Sequence, residues 1–193
     1  MFSKNRIKSL LSRPEFSALA IFIFLIVVFT FVNDRFLNSR NFMVILSTYP
    51  ELALVALGIT ILMISGEFDL SVGSVFAVSP IVTMILIADY EIHYIISILL
   101  GLLAAAFIGL INAIVTVKFK IPSFIATLGM LFMARSIAVV ISGGFPPSVP
   151  KDLPTDWLVG RVDMLRVSIF WLIGIALICN YMLKKTNFGS WIY

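Results

Sequence analysis

The chain has 193 residues, of which 61% are hydrophobic and 12% charged, with a formal net charge of +4. That much apolar surface cannot be enclosed in one soluble core, so the composition excludes an ordinary water-soluble domain and makes lipid the expected solvent. A single cysteine and a single histidine exclude an internal disulfide and leave no converging zinc or Cys/His catalytic set, and no serine has a histidine to pair with inside the membrane.

We therefore read no enzyme, and expect no cofactor or metal. A bilayer core of about 30 Å needs roughly 20 apolar residues per helix, with about 17 as a lower limit. The predicted spans are Phe16 to Val32, Phe42 to Ser65, Val72 to Ala88, Tyr94 to Val117, Ser123 to Ser142 and Val167 to Leu183. The fold class is all-α, a polytopic transmembrane bundle of about six spanning segments, because an open sheet in lipid leaves backbone groups unpaired. The alternating ten-residue strands of a membrane barrel are absent.

Lys4, Arg6, Lys8 and Arg13 precede the first run, as in a secretory signal. That run is long for a signal core and ends in Asn33-Asp34-Arg35-Phe36 with no small-residue cleavage site, so it is expected to stay as an anchor. In the second run Pro50 removes a backbone donor and predicts a kink, with the segment able to begin as a separate short piece. Glu51 would then sit at the N-terminus of the longer piece, where the helix dipole favours a carboxylate.

Between the second and third runs lies a polar interruption, Gly66-Glu67-Phe68-Asp69-Leu70-Ser71, followed by Val72-Gly73-Ser74. Asp69 and Ser71 are both good N-caps for a helix starting near Val72, which describes a plain capped turn. Carboxylates this close to hydrocarbon also point to function, because transporters often hold polar solutes where a helix is interrupted near the midplane.

In the fourth run Ser97, Gly101, Ala105, Gly109 and Ala113 recur every four residues as a stripe of small side chains, which predicts close helix packing. Asn112 beside it would hydrogen-bond to a neighbouring helix or line a polar path. Arg135 lies about twelve residues into the fifth run, which at about 1.5 Å per residue puts it near mid-membrane; Glu51 is at similar depth in the second. Arg135 either snorkels or serves function, and a Glu51 to Arg135 ion pair is one option. Cys179, inside the last run, reads as a small buried hydrophobe.

Gly143 to Arg166, with Pro146, Pro147, Pro150 and Pro154, is a proline-stiffened loop. Lysine and arginine excess marks the cytoplasmic side. An N-in chain places Lys4, Arg6, Lys8, Arg13, Lys118, Lys120, Lys184 and Lys185 inside, and Arg35, Arg40, Lys151, Arg161 and Arg166 outside, the last three interleaved with Asp152, Asp156 and Asp163. The N-in arrangement is favoured, so the 143–166 loop is external. Basic residues spread over separate loops do not make a nucleic-acid surface.

Gly66-Glu67-Phe68-Asp69-Leu70-Ser71-Val72-Gly73-Ser74 resembles the G-G-I-D-L-S-V-G-S signature of permease subunits of bacterial ABC importers for ribose, other simple sugars and autoinducer-2. Ile121-Pro122-Ser123-Phe124-Ile125-Ala126-Thr127-Leu128-Gly129-Met130, with Ala134-Arg135 and Ser142-Gly143-Gly144 after it, is similar to that family's V-P-x-F-I-A-T-L-G-T, A-R-G and T-G-G. Thr186 to Tyr193 resembles its T-x-F-G-R-x-I-Y. Glu67, Ser136 and Ser190 depart from the pattern, standing where the family usually has Gly, Gly and Arg.

The resemblance implies a membrane permease domain covering 1–193 as the N-terminal portion of a protein about twice this size, the C-terminal coupling region that docks on the ATPase being missing. It implies the translocation path of an ATP-driven importer of a simple sugar or related small polar solute, in a bacterial inner membrane. The implied partners are ABC ATPase subunits, an extracytoplasmic sugar-binding protein and a second permease subunit. The path residues expected on this reading are Asp69, Ser71, Glu51, Arg135 and Asn112, with the 143–166 loop either docking the binding protein or merely connecting helices. An ion- or proton-coupled secondary transporter using Glu51, Asp69 and Arg135 is the alternative, and a membrane assembly subunit without a path is a third. Ile64-Ser65-Gly66-Glu67-Phe68 and Ile141-Ser142-Gly143-Gly144-Phe145 hint at an internal repeat, for which chance is the simpler explanation.

Overall fold

The computed structural model describes residues 14–150, 153–162 and 165–192. Lys4, Arg6, Lys8, Arg13, Lys151, Asp152 and Asp163, used above to orient the chain, lie outside the described residues.

Helices α1 (Pro14–Val32), α2 (Ser39–Ile64), α3 (Val72–Ala88), α4 (Tyr94–Val117) and α5 (Ser123–Ile141) follow one another through short turns. The segment after α5 folds into a single turn of helix, α6 (Asp156–Val159), and a two-residue antiparallel pair, β1 (Arg161–Val162) and β2 (Leu165–Arg166), in which Arg161 faces Arg166. It ends in α7 (Ser168–Lys185) and a short α8 (Asn187–Ile192). The expected Pro-rich loop is thus partly structured.

Among the described residues, four helices are long and apolar enough to cross a membrane: α2, α4, α5 and α7. Phe16–Val32 and Val72–Ala88 are shorter apolar stretches; α3, at 17 residues, reaches about 25 Å, near the lower limit for a span.

Helix α3 is the hub, packed against α4 and α5, which also touch each other. Val78, Ile108, Met130, Ala134 and Ala138 are buried where the three meet. α7 packs along α2, and β2 leans on α2 as well. Large apolar side chains such as Phe22, Leu103, Phe107 and Phe132 are exposed, while Ser71, Ser97, Asn112 and Thr127 are buried. A water-soluble fold would bury the first group and expose the second; lipid accepts the reverse, since apolar chains around a bundle need no burial and its hydroxyls and amides must find partners inside.

Two expectations are corrected. α2 runs through Pro50 as one helix, so Glu51 is not at a helix N-terminus. Proline forfeits one backbone bond, to the Leu46 carbonyl, and a long membrane helix tolerates that loss when its other bonds have no water to exchange with. The four-residue stripe on α4 is buried at Ser97 and Gly101, half-buried at Ala105, and exposed at Gly109 and Ala113, while Ile108 and Asn112 take over the buried face. At about 3.6 residues per turn, a spacing of four winds around the helix by roughly 40° per step and leaves the interface.

The repeated Ile-Ser-Gly-X-Phe strings have a local cause. At the end of α2 the Gly66 amide donates to Met63 O at 3.0 Å and the Glu67 amide to Leu62 O at 3.3 Å; at the end of α5 Gly143 donates to Val140 O at 3.3 Å and Gly144 to Val139 O at 2.9 Å. Both are Schellman C-caps, and Gly66 (φ 84°) and Gly143 (φ 64°) take the left-handed conformation that motif requires. Two helix ends with the same cap chemistry explain the match.

Candidate functional site

The polar interruption is built from both sides. After the α2 cap turns the chain, the Phe68 amide donates to Ser123 Oγ at 3.2 Å and the Leu70 amide to Thr127 Oγ1 at 3.1 Å. Ser123 and Thr127 stand four residues apart on one face of the first turns of α5, and the Thr127 hydroxyl donates in turn to Ser123 O at 2.7 Å. Two backbone amides that would otherwise be orphaned near hydrocarbon are satisfied by side-chain oxygens. One turn further along, the Ser74 hydroxyl donates to Leu131 O at 2.9 Å and ties α3 to α5.

Asp69 then closes an Asx turn: one carboxylate oxygen, Oδ1, accepts from the Ser71 amide at 2.7 Å and from the Ser71 hydroxyl at 2.6 Å. Ser71 is fully buried, and its Oγ accepts from Asn112 Nδ2 of α4 at 2.9 Å. Asn112, Ser71 and Asp69 therefore form a directed relay ending on a carboxylate. Ser71 stands at the N-cap position of α3, but its side chain does not cap that helix. The sequence-based expectation of two N-caps is corrected: the Ser71 hydroxyl is committed to the carboxylate beside it, and such a short charge-assisted bond is stronger than one to a neutral amide.

Half-buried Asp69 lines a cavity of about 700 Å³ between α2, α3 and α4, within the range of about 300–1,000 Å³ typical of small-molecule sites. α3 lines it from Val72 to Met84, about 18 Å of helix. Leu54, Gly58 and Leu62 of α2 and Leu102 and Ala105 of α4 supply most of the remaining wall. Polar groups are few: Asp69, Ser79, Thr83 and Thr155. Val149, Leu153, Thr155 and Leu158, from the segment between α5 and α7, cover one side.

That covering segment is fastened at its far end. Arg166 Nη1 donates to Glu51 Oε1 at 2.8 Å, with about a third of each side chain exposed. Trp157 of α6 meets Trp171 of α7 edge to face at 6.2 Å between ring centres, a contact worth about 0.5–1.5 kcal/mol beyond area burial.

A Glu51 to Arg135 pair is therefore not formed: Glu51 takes Arg166 as its partner. Because Arg166 stands two residues before the first residue of α7, Glu51 is level with the start of that helix, and counting depth from Phe42 along α2 overstates how far in it sits. Arg135 is exposed on α5 and lines neither this cavity nor the one between α1 and α2. The structure thus brings Asp69, Ser71 and Asn112 together and leaves Glu51 and Arg135 apart from them. Ser123, Thr127 and Ser74 stand in the motifs quoted above but were given no role there, although the four-residue spacing of Ser123 and Thr127 at a helix start was a usable signal.

Comparison with known proteins now bears on this geometry. The family described as the branched-chain amino acid transport system / permease component matches residues 41–193. The chain belongs to this permease family. It is 32% identical over 194 residues to the xylose/arabinose import permease protein XylH of Sulfolobus acidocaldarius, covering 96% of this chain and 53% of that protein. It is 30% identical over 195 residues to the autoinducer 2 import system permease protein LsrC of Escherichia coli, covering 97% and 54%. With the ribose import permease protein RbsC of Escherichia coli the identity is 27% over 184 residues, covering 93% and 57%. The chain spans about half the length of the curated relatives it matches. No solved structure matches it. As a permease with several helices of spanning length, it is a multi-pass membrane protein.

Proposed function

We propose that this permease chain supplies part of the solute path of an ATP-driven importer of a simple sugar or related small polar solute. Its partners in that reading are ABC ATPase subunits, an extracytoplasmic solute-binding protein and a second permease subunit, in a bacterial-type inner membrane with the N-terminus cytoplasmic. The chain does no chemistry; ATP binding and hydrolysis elsewhere bias inward- and outward-open states.

The observation that carries the proposal is the relay from Asn112 through Ser71 to Asp69, because it fixes the one carboxylate of a largely apolar cavity against its wall. Only one carboxylate oxygen is taken by Ser71; the other is free of intramolecular hydrogen bonds among the described residues and can accept from solute hydroxyls. Asp69 is the solute-facing group, Ser71 and Asn112 position it, and Glu51 with Arg166 holds the covering segment in place. Arg135, a charge on an exposed helix face, is expensive against acyl chains, so we assign it to the part of the path that faces the second permease subunit.

The test is uptake of labelled pentose or ribose by cells that carry the whole transport system. Uptake that stops on ATP depletion and continues with a proton uncoupler supports the importer. The opposite pattern transfers the protein to the ion-coupled secondary transporters.

A further inference from the structure

We propose that the cleft between α1 and α2 is a binding site for the headgroup of an anionic phospholipid. The cleft has a volume of about 550 Å³, and its lining divides by chemistry. Arg35 and the carboxamides of Asn33 and Asn38 stand on the turn between the helices and Arg40 and Asn41 on the first turn of α2, with Phe36 among them, whereas Phe29, Val44 and Ile45 continue down the helices themselves. This profile, cationic and polar over apolar, is that of a glycerophospholipid read from phosphate to acyl chain. A turn joining two apolar helices lies at headgroup level whichever way the chain is oriented.

The asparagines are committed to shaping the turn. Asn33 Oδ1 accepts from the Arg35 amide at 2.9 Å, Asn38 Oδ1 from the Arg40 amide at 3.2 Å, and Asn41 Nδ2 donates to Phe36 O at 2.8 Å. Phe29 and Phe36 stack across the turn with ring centres 5.6 Å apart. These contacts present the two arginines on one cleft. Their guanidinium groups have no side-chain or backbone partner among the described residues; the single ion pair there is Glu51 with Arg166. A pair of guanidinium forks suits phosphate oxygens, which they can grip bidentately.

The charge balance selects the lipid. No carboxylate lines the cleft, Asp34 between Asn33 and Arg35 included, so a zwitterionic headgroup would bring an ammonium with no anion to receive it. An anionic headgroup such as phosphatidylglycerol neutralises both arginines and carries nothing that the site repels.

The experiment uses the full chain in nanodiscs of phosphatidylcholine doped with phosphatidylglycerol, and reads the two lipids retained on extraction by native mass spectrometry. The wild type should retain phosphatidylglycerol in preference. Arg35→Gln with Arg40→Gln should lower that preference about thirtyfold, each charge near the surface contributing about fivefold. Lysine at both positions should keep most of it, and Ile45→Trp, which fills the apolar part and leaves the arginines, should lower it as well. Arg161→Gln is the charge control and should change nothing. Unchanged retention in the double glutamine variant, or an equal loss in the Arg161 variant, overturns the site. Displacement of the lipid by inorganic phosphate alone would assign the cleft to a free anion instead. A cross-link from Arg40→Cys to a second copy of the chain, with no lipid retained, would assign it to a protein contact.

Discussion

Replacing Gly101 by alanine should push α3 and α4 apart. A Cβ at this position would clash with Thr83 Oγ1 and lie 2.6 Å from Ser79 O. The threonine can rotate away, at the loss of its 2.9 Å hydrogen bond to Ser79 O and its 3.3 Å approach to Ser97 O, but the Ser79 carbonyl is helix backbone and cannot. Restoring an ordinary contact of about 3.4 Å requires the helices to separate locally by roughly 0.8 Å, and overpacking of this kind typically costs about 1–3 kcal/mol. The weakened Thr83 hydrogen bond adds about 0.5–1 kcal/mol, and the better helix propensity of alanine returns about 1 kcal/mol. The net is a destabilisation of about 0.5–3 kcal/mol, or roughly two- to 150-fold in the folding equilibrium. Equilibrium unfolding in mixed detergent micelles measures it, with Gly109→Ala as the matched control. A Cβ at Gly109 meets nothing within 4 Å, so that variant should be neutral or slightly stabilised. Adding Thr83→Ala to Gly101→Ala should recover only part of the loss. Equal stability of the Gly101 and Gly109 variants would refute the claim that this glycine sets the helix separation.

At Gly66 the cost should come from backbone alone, since a Cβ there has open space but φ is +84°. Gly66→Val should lose about 1–2 kcal/mol and Gly66→Asn clearly less, measured in the same micelles. Glu51 and Arg166 should show a coupling of about 0.5–1 kcal/mol in a double-mutant cycle, and exchanging the two charges should recover it; coupling of Glu51 to Arg135 instead would contradict the pairing. Ser168 Oγ is buried without a hydrogen-bond partner among the described residues, so Ser168→Ala should leave stability unchanged or raise it by about 1 kcal/mol.

What could be read from residues was local. Apolar length against a bilayer of fixed thickness gave the limits of Val72 to Ala88 and Tyr94 to Val117, which coincide with α3 and α4. The break at Gly66 to Ser71 was visible because charge and glycine interrupt hydrocarbon. The partner of Glu51 was not, because 115 positions separate it from Arg166 and any of several cations was admissible. The stripe on α4 was over-extended because a spacing of four only approximates the helical repeat. Ser71 read as a cap because N-cap preference is a local rule, whereas the tertiary contact with Asn112 decided where its hydroxyl went. Of the candidate path residues, Asp69, Ser71 and Asn112 could be named but not joined, since the bond between α4 and the break spans 41 positions.

The most direct measurement is solute uptake by Asp69→Asn in the complete transporter, alongside Asp69→Ala and with membrane insertion checked for both. Asparagine keeps an Oδ1 to accept from the Ser71 amide and hydroxyl, so the turn survives while the charge is lost. The expected result is normal insertion of the asparagine variant with uptake reduced at least tenfold, about 1.4 kcal/mol or more, and poorer stability in the alanine variant. Full uptake by Asp69→Asn would reduce the carboxylate to a structural turn and contradict a solute path running past it.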